Sequence, residues 1–162
     1  MCSSRAAFLE DLPDLNFQSS SDLNPEHGPG YSRLSSVQVN QYSDAWVPGQ
    51  NAVGEWMQVD FSEEKTIEAI EVRPRVENDQ WVSSYKLAFS NDGIEYSFVK
   101  IVNGEDRIFS GPSAMNDFVT STFEPTQARY IRFYPLTYHL YMAVKWDVYG
   151  CNGGNLFSFC IN

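Results

Sequence analysis

The sequence predicts an all-β fold, a sandwich or a barrel of many short strands, on three observations. Short segments with a period of two recur along the chain, turn residues separate them at regular spacing, and no stretch repeats apolar residues at helical spacing. With 43% hydrophobic and 15% aromatic residues, the 162-residue chain has apolar mass enough for one ordinary domain with a sizeable core.

The first 55 residues are turn-rich. Ser, Asn, Asp, Gly and Pro run through "SSSDLNPEHGPGYSRLSS" (19–36) and "QYSDAWVPGQNAVGE" (41–55), and loops this long in a compact domain carry function or disorder. The first clear strand is "EWMQVDF" (55–61), with Met57, Val59 and Phe61 on one face and Trp56, Gln58 and Asp60 on the other. A polar "SEEK" turn leads to a second strand, "TIEAIEV" (66–72). "SSYKLAF" (83–89) aligns Tyr85, Leu87 and Phe89; the Asp-Gly of "SNDG" (90–93) then turns the chain into "IEYSFVKI" (94–101), a hairpin with Ile94, Tyr96 and Phe98 on one face. "ARYIRFYP" (128–135) is expected to stop at Pro135, because proline cannot donate to a ladder, and "AVKWDVYGC" (143–151) closes the series. Trp46, Trp56, Trp81 and Trp146 are expected in the core. Arg129 and Arg132 are expected to pair with acids across the sheet.

Charge excludes some partners. Eleven Lys and Arg stand against 21 Asp and Glu, a net charge of −10, and the cations are scattered singly. Nucleic acid and strongly anionic membranes, which reward concentrated positive charge, are disfavoured. No apolar stretch approaches the ~18 residues needed to span a bilayer, and the N-terminus lacks the pattern of a signal peptide, so a secreted protein would be represented by its mature form. No Asn-x-Ser/Thr glycosylation acceptor occurs. The two histidines, His27 and His139, lie in no zinc-protease pattern, and no nucleophile elbow, Walker loop or dinucleotide fingerprint is present.

The cysteines sit at the ends: Cys2, Cys151 and Cys160. That spacing fits neither a zinc site nor a Cys-x-x-Cys redox pair. Either all three are thiols, or Cys2 and Cys151 bridge the ends of one domain and leave Cys160 for pairing between molecules. Closing so long a loop is worth ~4–5 kcal/mol in the entropic model. The tail 152–162 opens on a glycine pair, but Leu156, Phe157, Phe159 and Ile161 are too apolar for a free end; it is expected to fold back or meet a partner.

Several of these segments, taken in order, resemble a known family. Cys2, "SSS" (19–21), "SRL" (32–34), "AWVPG" (45–49), "EWMQVDF", "WVSSYKLAFSNDG" (81–93), "ARYIRFYP" and "VYGC" (148–151) are similar to the discoidin family, also called the coagulation factor V and VIII type C domain, over residues 2–151. The resemblance implies a discoidin-type jelly-roll β-sandwich of about eight antiparallel strands with spike loops projecting at one end, a Cys2–Cys151 bridge, and residues 152–162 as a tail carrying the extra Cys160. The chain departs from the family where Arg73-Pro74-Arg75 stands for a common Gln-Gly-Arg and Lys145-Trp146-Asp147 for Arg-x-Glu.

The family is one of binding modules, so the resemblance implies a secreted or extracellular recognition domain without catalysis. Its spikes correspond here to Asp22–Tyr31, Gln38–Trp46 and Arg75–Gln80, closed by a loop with Tyr138 and His139. Membrane-binding members carry large apolar tips beside basic residues; here Leu23, Tyr31, Tyr42 and Val76 stand beside Asp22, Glu26, Asp44, Glu77 and Asp79, which suits an anionic membrane poorly. A glycan asks for an aromatic face for sugar C–H groups and planar amides, carboxylates and arginine for its hydroxyls. The ligand-binding set is therefore expected to be Leu23, Tyr31, Tyr42, Asp44, Arg75, Glu77, Asn78, Asp79, Tyr138 and His139, with a glycan or cell-surface glycoprotein as partner. A protein or peptide anchored on Arg and Tyr is the alternative. No cofactor is required; some relatives hold calcium near the last strand, and Asp22 with Asp147 are the candidate ligands for Ca2+.

Overall fold

Two strands are far longer than their sequence patterns, and they shape the molecule. In the computed structural model, which describes residues 5–151, the chain forms β1 (Ala6–Ala7), β2 (Phe17–Ser19), β3 (Met57–Arg73), β4 (Trp81–Ser90), β5 (Ser97–Phe98), β6 (Phe109–Ser110), β7 (Val119–His139) and β8 (Lys145–Cys151), all paired antiparallel. Single 3-10 turns punctuate the loops at Asp14–Asn16, Pro25–His27, Pro29–Ser32 and Val76–Asn78. The fold is the all-β sandwich of eight strands that the sequence predicts.

"SEEK" is a bend inside β3 rather than a turn between two strands. The Ser62 amide donates to Asp60 Oδ1 at 2.7 Å, Ser62 takes a φ of 66°, and the pairing with β7 skips from Asp60 to Lys65. Such a bulge accommodates extra residues and bends the strand. On either side of it β3 lies in a different layer: Met57–Asp60 pairs with β2 and with Tyr130–Phe133 of β7, whereas Thr66–Arg73 pairs with β8 and Val119–Thr126 of β7. The β3–β7 ribbon thus runs through both layers; β4, β5 and β6 extend the first, β8 and β1 the second.

β7 also corrects an expectation, since it continues through Pro135 to His139. The register steps from Tyr85–Pro135 to Ser84–Thr137, leaving Leu136 as an extra residue. A bulge is one of the few places in a sheet where proline is tolerated, because the ladder is already interrupted. The predicted strand 94–101 shrinks to Ser97–Phe98, and Ile94 is exposed on the turn instead of sharing a buried face.

The core fills the space between the layers. Met57, Val59 and Phe61 are buried as the alternation predicts, and Trp46, Trp146, Tyr85, Phe109 and Phe133 have essentially no exposed surface. Phe133 stacks on Tyr85 at 4.4 Å and meets Trp146 edge-on at 5.3 Å, tying the first layer to the second. Side chains of this size contribute ~1.5–3 kcal/mol each when fully buried. Trp56 is the exception among the tryptophans: it is half-buried on the outer face, 4.1 Å from the Arg132 guanidinium, which also lies 4.0 Å from Tyr96. Arg132 therefore sits between two rings and donates to Gln58 Oε1, whereas Arg129 grips Asp60 through two bonds of 2.8 and 2.9 Å as expected. β8 packs so closely on β3 that a Cβ at Gly150 would fall 1.8 Å from the Thr66 carbonyl oxygen. Cys151 is disulfide-bonded; Cys2, Cys160 and the apolar tail lie outside the described residues.

Candidate binding site

The pairs Arg73–Lys145, Val72–Val119 and Trp81–His139, with Val82 N donating to the Ala143 carbonyl at 3.2 Å, bring the C-terminal end of β3, both ends of β7 and the N-terminal ends of β4 and β8 to one end of the sandwich. The loops that leave these ends are joined to each other by a chain of contacts. Ser43 N donates to the Glu26 carbonyl at 2.8 Å and Val47 N to the His27 carbonyl at 3.1 Å, which docks the second spike on the first. The Tyr31 and Tyr42 rings lie 5.9 Å apart across that junction. Arg75 Nε donates to Asp44 Oδ1 at 3.0 Å, joining the third spike to the second. Asn78 meets Gln38 at 3.1 Å and, with its amide oxygen turned inward, accepts from Arg75 Nε and Nη2 at the same distance. His139 Nε2 lies 3.4 Å from Asp79 Oδ2 and links the closing loop to the third.

The third spike is a short, closed turn. Arg75 and Gln80 exchange backbone hydrogen bonds of 2.7 and 3.2 Å, Val76–Asn78 makes one 3-10 turn, and Asp79 reverses the chain at a φ of 53°, a conformation that Asp tolerates better than most residues. Below it Arg75 also donates to Gln80 Oε1, and Lys145 Nζ reaches the Ser36 carbonyl at 2.7 Å and Asp44 Oδ2 at 3.5 Å. Asp44 and Arg75 are only 4% and 6% exposed. They were expected to face ligand; the structure places them under the loops as a braced ion pair, because each finds its partner only by turning inward.

The remaining predicted residues face outward. Leu23, Tyr42, Glu77, Asn78 and Tyr138 are exposed, and Tyr31, Asp79 and His139 are half-buried. His139 lies flat on Trp81, ring centres 4.1 Å apart and planes 16° from parallel, so a buried indole supports a partly exposed imidazole. Burial and the neighbouring Arg75 guanidinium hold His27 below its ordinary pKa, leaving it neutral at neutral pH. Burial, with Tyr42 beside it, raises the Tyr31 hydroxyl, which stays protonated. Sequence reasoning missed Trp81 as the support for His139, and it missed Leu140, which is 62% exposed with a φ of 56° at the tip of the closing loop. An apolar residue beyond the end of a period-two run was the only signal for Leu140.

The electrostatics are one-sided. Arg73, Arg75 and Lys145 are held in ion pairs with Glu71 and Asp44, while Asp22 and Glu77 are exposed. Asp22 and Asp147, the candidate calcium ligands, are held by different partners. Asp22 Oδ1 accepts from Ser19 Oγ and Trp46 Nε1, whereas Asp147 Oδ1 accepts from the amides of Phe8, Leu9 and Val148, and no group of three His, Cys, Asp or Glu side chains converges among the described residues.

A long bent β-ribbon with linked loops at one end is a recognisable frame, and the profile of the F5/8 type C domain matches residues 16–147. The chain belongs to that family. Among relatives of this F5/8 type C domain, hemocytin of Bombyx mori is 29% identical over 143 residues, covering 88% of this chain and 5% of hemocytin. Discoidin-2 of Dictyostelium discoideum is 31% identical over 141 residues, 83% of this chain and 53% of that protein. The solved structure of wild-type discoidin II from the same organism superposes with a TM-score of 0.79 at 28% identity, over 91% of this chain and 58% of that one. The family 32 carbohydrate-binding module of C. perfringens NanJ, solved in complex with galactose, shares the fold at a TM-score of 0.64 and 14% identity, over 90% of this chain and 99% of that one. The chain thus spans about half or less of the curated relatives named here. The family is one of carbohydrate- or phospholipid-binding modules. Among the described residues no helix is long and apolar enough to cross a membrane.

Proposed function

We propose that this F5/8 type C domain is a non-catalytic, extracellular recognition and adhesion module that binds a glycan or a glycoprotein's glycan through the linked loops at one end of the sandwich. The observation that carries the reading is the rim itself. It sets two aromatic supports, Tyr42 against Tyr31 and His139 on Trp81, beside the planar polar groups Glu77, Asn78 and Asp79. Ring faces accept sugar C–H groups, and amides and carboxylates accept or donate to vicinal hydroxyls. The galactose held by the NanJ module is in keeping with that chemistry. An anionic lipid surface would need free cations at this end, and those present are already paired. Exposed Leu23, Val76 and Leu140 favour a second reading, a protein or a weakly charged membrane met through apolar tips.

A glycan array separates these, run with wild type, His139→Ala and Tyr42→Ala, beside sedimentation with phosphatidylserine and phosphatidylcholine vesicles. Neither side chain is buried, so both variants should fold. Selective array binding that weakens about tenfold in each variant supports the glycan reading. Vesicle binding without array binding, or array binding indifferent to both variants, overturns it.

A further inference from the structure

A second concavity lies on the side of the sandwich, away from the spike loops. Below the bulge of β3, the β3–β7 ribbon swings into the second layer, but β4 and β5 stay in the first. The free edge of β7 at Thr122–Thr126 therefore diverges from β5, and among the described residues no strand fills the gap. A cleft of about 820 Å3 results, within the range of small-molecule sites. Its floor is apolar, with Phe89 and Phe123 5.7 Å apart, and Phe98, Val99 and Pro125 form its walls.

The chemistry of the rim is unlike that of the rest of this acidic chain. Arg5, Lys100 and Arg107 line the cleft, three of only 11 Lys and Arg. Arg5 is paired with Glu68, and Lys100 shares Asp106 with Lys86, so two lysines divide one acid. Arg107 has no carboxylate partner among the described residues. Its guanidinium is fixed by a 2.8 Å bond from Nη1 to the Thr122 carbonyl and by packing 4.3 Å over Phe109, and Nε and Nη2 have no acceptor among the described residues. A planar fork held in one orientation is prepared for a carboxylate. Around it Ser97, Thr122 and Thr126 supply hydroxyls, and Glu124 supplies an acceptor.

We propose that this side cleft is a binding site for a sugar acid, a pyranose carrying a carboxylate, with the carboxylate on Arg107, the ring's C–H face on Phe98 and Pro125, and its hydroxyls on the Ser, Thr and Glu side chains of the rim. The site is separate from the loop end and stands whether or not the loops bind a glycan. Amide chemical shifts of the 15N-labelled full chain, followed during titration with sodium glucuronate, test it, with glucose and sodium acetate as controls. Saturable shifts confined to residues around Phe98, Thr122 and Arg107 are expected with glucuronate alone. Arg107→Gln should weaken binding by about tenfold or more. Because Arg107 also has structural contacts, Ser97→Trp provides a second variant, filling the cleft from an exposed position; it should abolish the shifts while the spectrum stays folded. Shifts with acetate equal to those with glucuronate, shifts mapping to the spike loops, binding that survives Ser97→Trp, or no saturation at millimolar glucuronate would each overturn the proposal.

Discussion

Replacing Asp147 with Asn should stabilise the domain at neutral pH and do so progressively less in acid. Asp147 has no exposed surface; Oδ1 accepts from three backbone amides, and Oδ2 has no hydrogen-bond partner among the described residues. Burial outweighs those three bonds, with Glu10 adding to it, and pushes its pKa from 3.8 up to about 6. The sign follows from linkage. A raised folded-state pKa means that the native state holds the proton more tightly than the unfolded chain, so the contribution to stability is fully present below about pH 3.8 and is lost as pH rises through about 6. A shift of about two units is ~3 kcal/mol. Asn keeps the accepting oxygen and the shape but cannot ionise, so the difference in unfolding free energy between variant and wild type should grow by ~3 kcal/mol between about pH 4 and pH 8. Any constant cost of the added amide N–H, ~1 kcal/mol or more, shifts both ends equally. Urea denaturation of both proteins across that range is the assay. Asp60, Asp92 and Asp106, whose pKa values are lowered by hydrogen bonds, lose stability in acid in both proteins and cancel in the subtraction. Parallel stability curves for the two proteins would refute the argument.

Two further substitutions probe the loop end. Arg75→Ala should cost ~3 kcal/mol in urea unfolding, because among the described residues it leaves buried Asp44 with only Lys145, at 3.5 Å, as an ion-pair partner; a loss below ~1 kcal/mol would mean the pair is not braced as described. Leu140→Gly should raise unfolding free energy by ~0.5–1 kcal/mol by removing a branched side chain from a left-handed backbone, and a fall in stability would show that the exposed side chain packs on something.

What was legible in the sequence was local. Alternation along Met57, Val59 and Phe61 reports which face is buried whatever lies opposite, and "SNDG" makes a turn through the side-chain acceptor of Asp92 and the positive φ of Gly93. "SEEK" and Pro135 were misread for one reason: a bulge and a strand end have the same composition, and only the partner strand decides whether pairing resumes. Ordered matches along the chain identified the family, and with it the end of the sandwich where the loops gather.

Which groups at that end face solvent was not local information. Asp44 and Arg75 read as polar rim residues because each sits in a loop segment rich in Asp, Asn and Ser, yet they meet across 31 positions and bury one another. The charge that suggested recognition is instead what holds the second and third spikes in register, and in the proposed function a glycan would meet residues with less charge, Tyr42, Asn78 and His139. The side cleft escapes sequence reading for the same reason. Arg107 and Thr122 lie on segments without any shared motif, and the gap between β5 and β7 beside them exists because one ribbon changes layers while its neighbour does not. In a fold built from a single bent sheet, both proposed binding surfaces lie where neighbouring strands part company, at the loop end and along the open side, so the residues worth substituting are found from the divergence of edges rather than from the charge of any segment.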